Sequence, residues 1–384
     1  MTAPVRFAIV GTGWRTRFML RLAAMAPDRL EPVAIVGRTP QRAREALAEA
    51  RAAAAPFSAH LTDALPADGL GEALARRPDF VVSAVPWETN PEVIREVVAT
   101  GTPVLAETPP APDLDGLRAL WRDTGASGLV QIAEQYPRMP GHAARLAVIE
   151  AGVIGAPSAV ELSSTHLYHA VSLIRTMLGS GRPEGVTRAT VTARSFTAPA
   201  LDPLTPDGWV GGAPGTPEHP GTGLDPQPRS TTIATLDFGD AGFGLYDFVD
   251  NQWWNPTLHR RIVVRGSHGE IADDSVIRLT SDGPVTSHLE HRRTGVDLNL
   301  EGNALVHTSF DGRVVYRNAW HHSRMSEDDL AVAQILEDMG RWTRGEAPEP
   351  YPLAQGLWDH ALSLAILDSA RTGADVRVDE QPWG

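Results

Sequence analysis

Over residues 1–125 short apolar runs alternate with longer amphipathic stretches, a pattern that predicts parallel strands joined by helices. The strand candidates are VRFAIV (5–10), PVAIVG (32–37), DFVVSAV (79–85), TPVLAE (102–107) and GLVQIAE (128–134). Between them, 40–54 and 90–101 read as helices, each with proline near its start and the second ending on glycine. The strand runs are too apolar to face water on one side, so helices are expected on both faces of the sheet, as in a doubly wound α/β fold.

The texture changes near residue 157. A helix is expected over 166–179, followed by alternating segments at 185–196, 230–239, 241–250 and 259–274 that read as antiparallel strands. Residues 197–230 are dense in Pro and Gly and aperiodic, which suggests a substrate-covering loop. The tail returns to helical periodicity over 325–345 and 352–373. Two domains are expected: residues 1–125, and residues 126–384, whose C-terminal helices pack back toward the first.

Composition removes whole classes of chemistry. The formal charge is −13 and the 34 basic residues are scattered, so neither nucleic acid nor a membrane surface is an expected partner. All 34 are arginines. Without a lysine there is no Schiff base or lysine general base, and without cysteine there is no thiolate nucleophile or Cys-ligated metal. His166 and His169, or His321 and His322, lack a marked third ligand, so no metal site is expected. No secretory leader or transmembrane-length segment is evident, which makes a cytoplasmic location the expectation.

In AIVGTGWRTRF, Gly11 and Gly13 follow the first strand directly, where glycine permits a tight turn and lets a pyrophosphate approach a helix N-terminus. Thr16 stands where the usual fingerprint has its third glycine. The second strand ends Gly37-Arg38-Thr39, with no carboxylate for a ribose 2′-hydroxyl. A guanidinium and a hydroxyl suit a 2′-phosphate, so NADP(H) is favoured over NAD(H).

These motifs, with the stretches 81–113, 149–160, 169–179 and 263–271, resemble the Gfo/Idh/MocA oxidoreductases, the glucose-fructose oxidoreductase and inositol dehydrogenase group. The resemblance implies an N-terminal Rossmann domain and a C-terminal α+β domain whose large, mostly antiparallel sheet serves as an oligomer interface, in a homodimer or homotetramer. It implies NAD(P)-dependent chemistry on sugars, cyclitols or related polyhydroxylated or cyclic molecules. The implied cofactor contacts are Gly11, Thr12, Gly13, Trp14, Arg15, Arg38, Thr39, Val85, Pro86, Asn90 and Glu107.

The family's Glu-Lys-Pro falls on Glu107-Thr108-Pro109, and its His-x-x-Asp on His169 and Ser172. Of that Lys, Asp and His set this chain keeps the histidine alone. Trp87 and Asn90 stand where relatives carry an asparagine and a histidine. Thr108 can orient a hydroxyl or a water but has no pKa suited to proton transfer near neutrality. His169 is therefore the expected acid-base residue, with His166 and Tyr136 as further candidates. Trp87, Tyr168, Trp253 and Trp254 are candidates for contact with the substrate, the aromatic rings suiting its apolar faces. Two alternatives stay open: a nicotinamide-dependent enzyme whose net reaction is elimination, epimerisation or glycoside cleavage, and a non-catalytic dinucleotide-binding regulator.

Overall fold

The computed structural model describes residues 3–54, 57–63, 65–201, 204–205, 208–209, 226–253, 255–294, 304–321, 323 and 325–384. They fall into two compact units. The first comprises residues 1–144, 290–358 and 381–384; the second comprises 145–289 and 359–380.

The first unit is built on six parallel strands: β1 (Val5–Val10), β2 (Leu30–Val36), β3 (Pro66–Ala67), β4 (Phe80–Ser83), β5 (Val104–Ala106) and β6 (Val130–Ile132). Their order is β3-β2-β1-β4-β5-β6, the doubly wound arrangement in which strand order reverses beside β1. Helices α1 (Trp14–Met25), α2 (Pro40–Ala53), α3 (Leu70–Ala75), α4 (Asn90–Ala99) and α5 (Leu114–Thr124) make the crossovers. The strand cores are buried throughout, with Phe7, Ile9, Ile35, Val81 and Leu105 fully enclosed, as the apolar runs require.

This unit is discontinuous in sequence, which a boundary after residue 125 does not anticipate. Helix α6 (Pro140–Glu150) runs out of it, and α7 (Leu167–Leu178) belongs to the second unit. The chain returns with α8 (Glu327–Thr343), whose Leu330, Ile335, Leu336 and Met339 join the core formed by β1, β2 and α1. Gly340 of α8 lies so close to β1 that an added Cβ would sit 2.3 Å from Val5 Cγ1. Ion pairs flank that contact: Arg21 with Asp329, Arg29 Nη2 with Glu337 at 2.5 Å, and Arg344 Nη2 with Asp79 at 2.6 Å. A last helix, α9, spans Leu353–Thr372.

In the second unit the strands are β7 (Pro157–Ser163), β8 (Ala189–Ala200), β9 (Leu204–Thr205), β10 (Gly208–Trp209), β11 (Gln227–Asp237), β12 (Phe243–Val249), β13 (Arg261–Gly266), β14 (Gly269–Ala272), β15 (Ser275–Thr280) and β16 (Gly283–His288). The short pair β9–β10 stands apart. Strands β17 (Glu290–Thr294), β18 (Ala304–Phe310) and β19 (Arg313–Arg317) form a separate sheet in the first unit, and β20 (Val376–Val378) closes the large one. That sheet has nine strands in the order β16-β15-β14-β13-β7-β12-β11-β8-β20, antiparallel except where β12 meets β7. Helix α7 covers one face; an added Cβ on Gly244 of β12 would lie 2.8 Å from Ile174 of that helix.

Part of the segment read as a loop is strand: residues 197–200 and 227–230 prolong β8 and β11, in register Thr197 to Ser230 and Ala200 to Gln227. Cross-strand pairing outweighs their low strand propensity there, and Pro199 opposes Pro228, so neither proline interrupts a central ladder. Most of 202–225 lies outside the described residues.

Candidate active site

Gly11 has φ +134°, and an added Cβ would lie 2.1 Å from the Ala84 carbonyl oxygen. Only glycine lets this turn cross so closely over the end of β4. At Gly13, by contrast, an added Cβ meets nothing within 4 Å. Space lies open at the N-terminus of α1, which has no side-chain cap and no acidic residue in its first turn. Uncapped N–H groups on a helix end without negative charge are what a diphosphate requires.

The cleft at these carboxyl ends encloses about 810 Å³. Its walls include Gly11, Thr12, Gly13, Trp14 and Arg15 from the first turn, Gly37 and Arg38 after β2, Val85 and Pro86 after β4, and Glu107 and Thr108 after β5. Arg42, which sequence reasoning did not single out, lines it too. Its signal was the spacing: Arg38 precedes α2 and Arg42 is four residues on, within the first turn of that helix. These residues fit a dinucleotide: an open helix N-terminus in the middle, and at the β2 end two arginines where an NAD-selective site carries a carboxylate.

Three expected contacts have other employment. The Thr39 hydroxyl caps α2, accepting from Arg42 N at 3.4 Å. Asn90 is 1% exposed and its amide donates to the Glu107 and Pro109 carbonyls at 2.9 and 3.4 Å, while its oxygen accepts from the Ser83 hydroxyl at 2.6 Å. It shapes the turn after β5 from beneath. Trp87 is exposed and its indole N–H donates to Glu88.

At the end of β5, Arg15 Nε donates to the Glu107 carboxylate at 2.6 Å. Burial alone would make the Arg15 guanidinium easier to deprotonate, but the charge and hydrogen bond of Glu107 outweigh it and raise its pKa. The peptide bond between Thr108 and Pro109 is cis. The Thr108 hydroxyl makes no hydrogen bond among the described residues and stands on the cleft wall, where it can orient a ligand. Tyr136 opens a 3₁₀ turn, Tyr136–Arg138, and its ring stacks on His142 at 6.3 Å between centroids.

The second unit gathers His166, His169, Tyr168 and Trp253 where α7 begins. His166 stands at the N-cap position of α7 without a side-chain hydrogen bond to the helix, and Leu167, at φ +27°, turns the chain into it. The Tyr246 hydroxyl lies 3.2 Å from the Leu167 N–H, which donates to it, so β12 fixes this start. The His166 ring lies 5.2 Å from that of His169, 5.0 Å from Trp253 and 6.4 Å from Phe248. Burial first, then the charge of His169, lower the His166 pKa to about 4, so at neutral pH it is uncharged. Trp253 stacks on Phe248 at 5.2 Å, and Gln252 anchors its turn by donating to the Ser163 and His259 carbonyls. Tyr168 is buried against His169 and His360, at 5.6 and 6.1 Å. Phe248 and His360 were not legible as site residues, because nothing local marks them. Trp254 and His322 lie outside the described residues. No group of three metal-ligating side chains occurs among the described residues, and none of their helices is long and apolar enough to cross a membrane.

A sheet of order β3-β2-β1-β4-β5-β6, with an open helix N-terminus at the reversal of strand order, defines a Rossmann dinucleotide-binding domain. Residues 5–133 match the Gfo/Idh/MocA model, an oxidoreductase family with an NAD-binding Rossmann fold, as the motifs implied. No curated protein matches in sequence.

Solved structures share the fold along the whole chain. An oxidoreductase from Agrobacterium radiobacter, in complex with NAD+, L-tartaric acid and magnesium, is 16% identical with a TM-score of 0.63 over 98% of both chains. The WlbA dehydrogenase from Bordetella pertussis, in complex with NADH and UDP-GlcNAcA, is 18% identical with a TM-score of 0.60 over 99% of both. A myo-inositol dehydrogenase from Corynebacterium glutamicum is 19% identical with a TM-score of 0.56, covering 98% of this chain and 99% of its own.

Proposed function

We propose that the protein is an NAD(P)-dependent oxidoreductase that interconverts an alcohol and a carbonyl on a sugar, cyclitol or related polyhydroxylated or cyclic small molecule, with NADP(H) as the preferred cofactor. The observation that carries the reading is the cleft itself. It is open at the N-terminus of α1 and is lined at the β2 end by Gly37, Arg38 and Arg42 instead of a carboxylate. The reading is supported by the Agrobacterium and Bordetella proteins, which share the fold and are complexed with NAD+ and L-tartaric acid and with NADH and UDP-GlcNAcA.

When bound, the nicotinamide would accept the hydride that leaves the carbinol carbon. The chain's part is to hold the alcohol and remove its hydroxyl proton. That proton transfer is assigned to His169 because the residue matches the family's His-x-x-Asp histidine and is of the type suited to it. His166 is not an acid at neutral pH, because burial and its neighbour keep it uncharged down to about pH 4. Thr108 orients an oxygen of the ligand by a neutral hydrogen bond.

The homo-oligomer fits the face of the nine-stranded sheet opposite α7. Register places Ile233, Phe243, Leu245, Val263, Ile277 and Leu279 on that one face, and Leu279 is 63% exposed. Arg261 with Asp247, and Arg265 with Glu161 and Glu270, pair among them at 2.6 to 3.0 Å. A row of apolar side chains interleaved with neutralised charges suits a self-complementary interface.

The test is a titration of the full-length protein with NADPH and with NADH, followed by absorbance assays at the nicotinamide band across polyols and sugars. Tighter NADPH binding and turnover of at least one alcohol are expected. If neither nucleotide binds, the reading is wrong.

A further inference from the structure

We propose that Arg15 anchors an anionic group of the substrate, so that the enzyme acts on a hydroxy acid or sugar acid in preference to a neutral polyol. This rests on the reading above and narrows its substrate class.

Arg15 is 8% exposed, yet it stands on the cleft wall with Thr108. Its Nε is bonded to Glu107 at 2.6 Å, and that is its only hydrogen bond among the described residues. Both terminal nitrogens, with their four N–H donors, therefore remain for a ligand. The guanidinium also lies over the Trp14 ring at 5.5 Å and the Phe18 ring at 5.3 Å, contacts that favour this position. Glu107, Asp328 and Glu134 all act on it and keep it cationic, but only Glu107 bonds it.

The terminal nitrogens open onto the cleft with donors that no described residue uses. A single hydroxyl acceptor engages few of them. A carboxylate offers two oxygens in a plane, the geometry that matches the free edge of a guanidinium. Position tells cofactor from substrate. Arg38 and Gly13 would hold the ribose end and the diphosphate of a dinucleotide, and Arg15 with Glu107 would then stand on the β5 side of the same cleft. An anion on Arg15 would then belong to the substrate, as the carboxylate of a 2-hydroxy acid, a uronate or an aldonate.

The experiment uses the full-length protein with three matched probe pairs: D-gluconate and D-glucitol, D-glucuronate and D-glucose, L-tartrate and L-threitol. Turnover is read with the oxidised cofactor, and binding to the NADPH complex by calorimetry. Wild type should favour the acid of at least one pair by about tenfold or more, the worth of a charge-assisted contact. Removing Arg15 alone would leave Glu107 buried and unpaired, so the informative variant is Arg15→Met combined with Glu107→Gln. Compared with wild type at saturating NADPH, it should lose the acid preference, the acid and neutral members of a pair then binding within a few-fold of each other. The inference is overturned if no acid of the panel binds, if the neutral members are equal or better, or if the double variant keeps the preference. A loss of NADPH binding in that variant that saturation cannot restore also overturns it, because Arg15 would then serve the cofactor alone. Failure of wild type to bind either nucleotide instead removes the oxidoreductase reading itself.

Discussion

Asn90 holds Glu107 in place: its amide donates to the Glu107 carbonyl at 2.9 Å while its oxygen accepts from Ser83 at 2.6 Å. The first residue of α4 thus sets the backbone that carries both Glu107 and Thr108. Asn90→Ala should leave a buried hydroxyl and a carbonyl without partners and cost about 2–3 kcal/mol. Urea denaturation checks this, and nucleotide affinity should fall with it; an unchanged midpoint would remove the assignment.

Cofactor selectivity is expected to reside in Arg38 and Arg42. Arg38→Ala should weaken NADPH by about 1.5–3 kcal/mol and NADH by much less, as expected of a charge-assisted phosphate contact. Arg42→Ala should act in the same sense but more weakly, because its side chain is 70% exposed and shared with Glu45. Equal losses for both nucleotides would point to adenine stacking.

The depressed pKa of His166 makes a statement about acid stability. In the unfolded chain this histidine titrates near 6.5, and in the folded chain near 4. Between those values the unfolded state binds the extra proton, so stability is complete above pH 6.5 and falls as pH drops toward 4. The loss approaches roughly 3 kcal/mol. His166→Phe, which suits the surrounding aromatic rings, should flatten that slope. Denaturant midpoints at several pH values decide it; an unaltered slope means another group is responsible.

Division of labour at the reaction centre is read from single-turnover hydride transfer. His169→Ala should cost about two to four orders of magnitude, the usual worth of a positioned acid-base group. Thr108→Val should be milder, since it removes one neutral contact. Thr108→Lys should lower turnover, because a new ammonium would need a partner and Glu107 is already bonded to Arg15. If Thr108→Val is as damaging as His169→Ala, the threonine is central to the chemistry.

Assembly gives the last test. Ile233→Asp with Leu279→Asp places two charges on the open face of the nine-stranded sheet, and light scattering should then show a smaller species than wild type. A monomeric wild-type protein would defeat the proposal outright.

Much of the fold was legible because burial dictates pattern. β1 spans the expected residues, and β2, β4, β5 and β6 fall within or close beside their apolar runs. β3, two residues long, carries too little pattern to be seen. Pattern states that a helix has an apolar face, but not what covers it. For that reason the membership of α8 in the first unit, against β1, was not specified. At the site, glycines and Arg38 announced themselves by position after strands. The pair of Arg15 and Glu107, 92 residues apart in sequence, did not, because neither residue is unusual locally.

The split of the first unit between residues 1–144 and 290–358 has a consequence during synthesis. When the strands of the Rossmann sheet have left the ribosome, the side of β1 that α8 will cover is still bare. It stays so until all of residues 145–289 have been made. The contact between Val5 and Gly340 is among the longest-range in the chain, and contacts of that kind form late. A nascent chain stalled within the second unit therefore displays an apolar strip at its oldest end, where a chaperone or another nascent chain would find it.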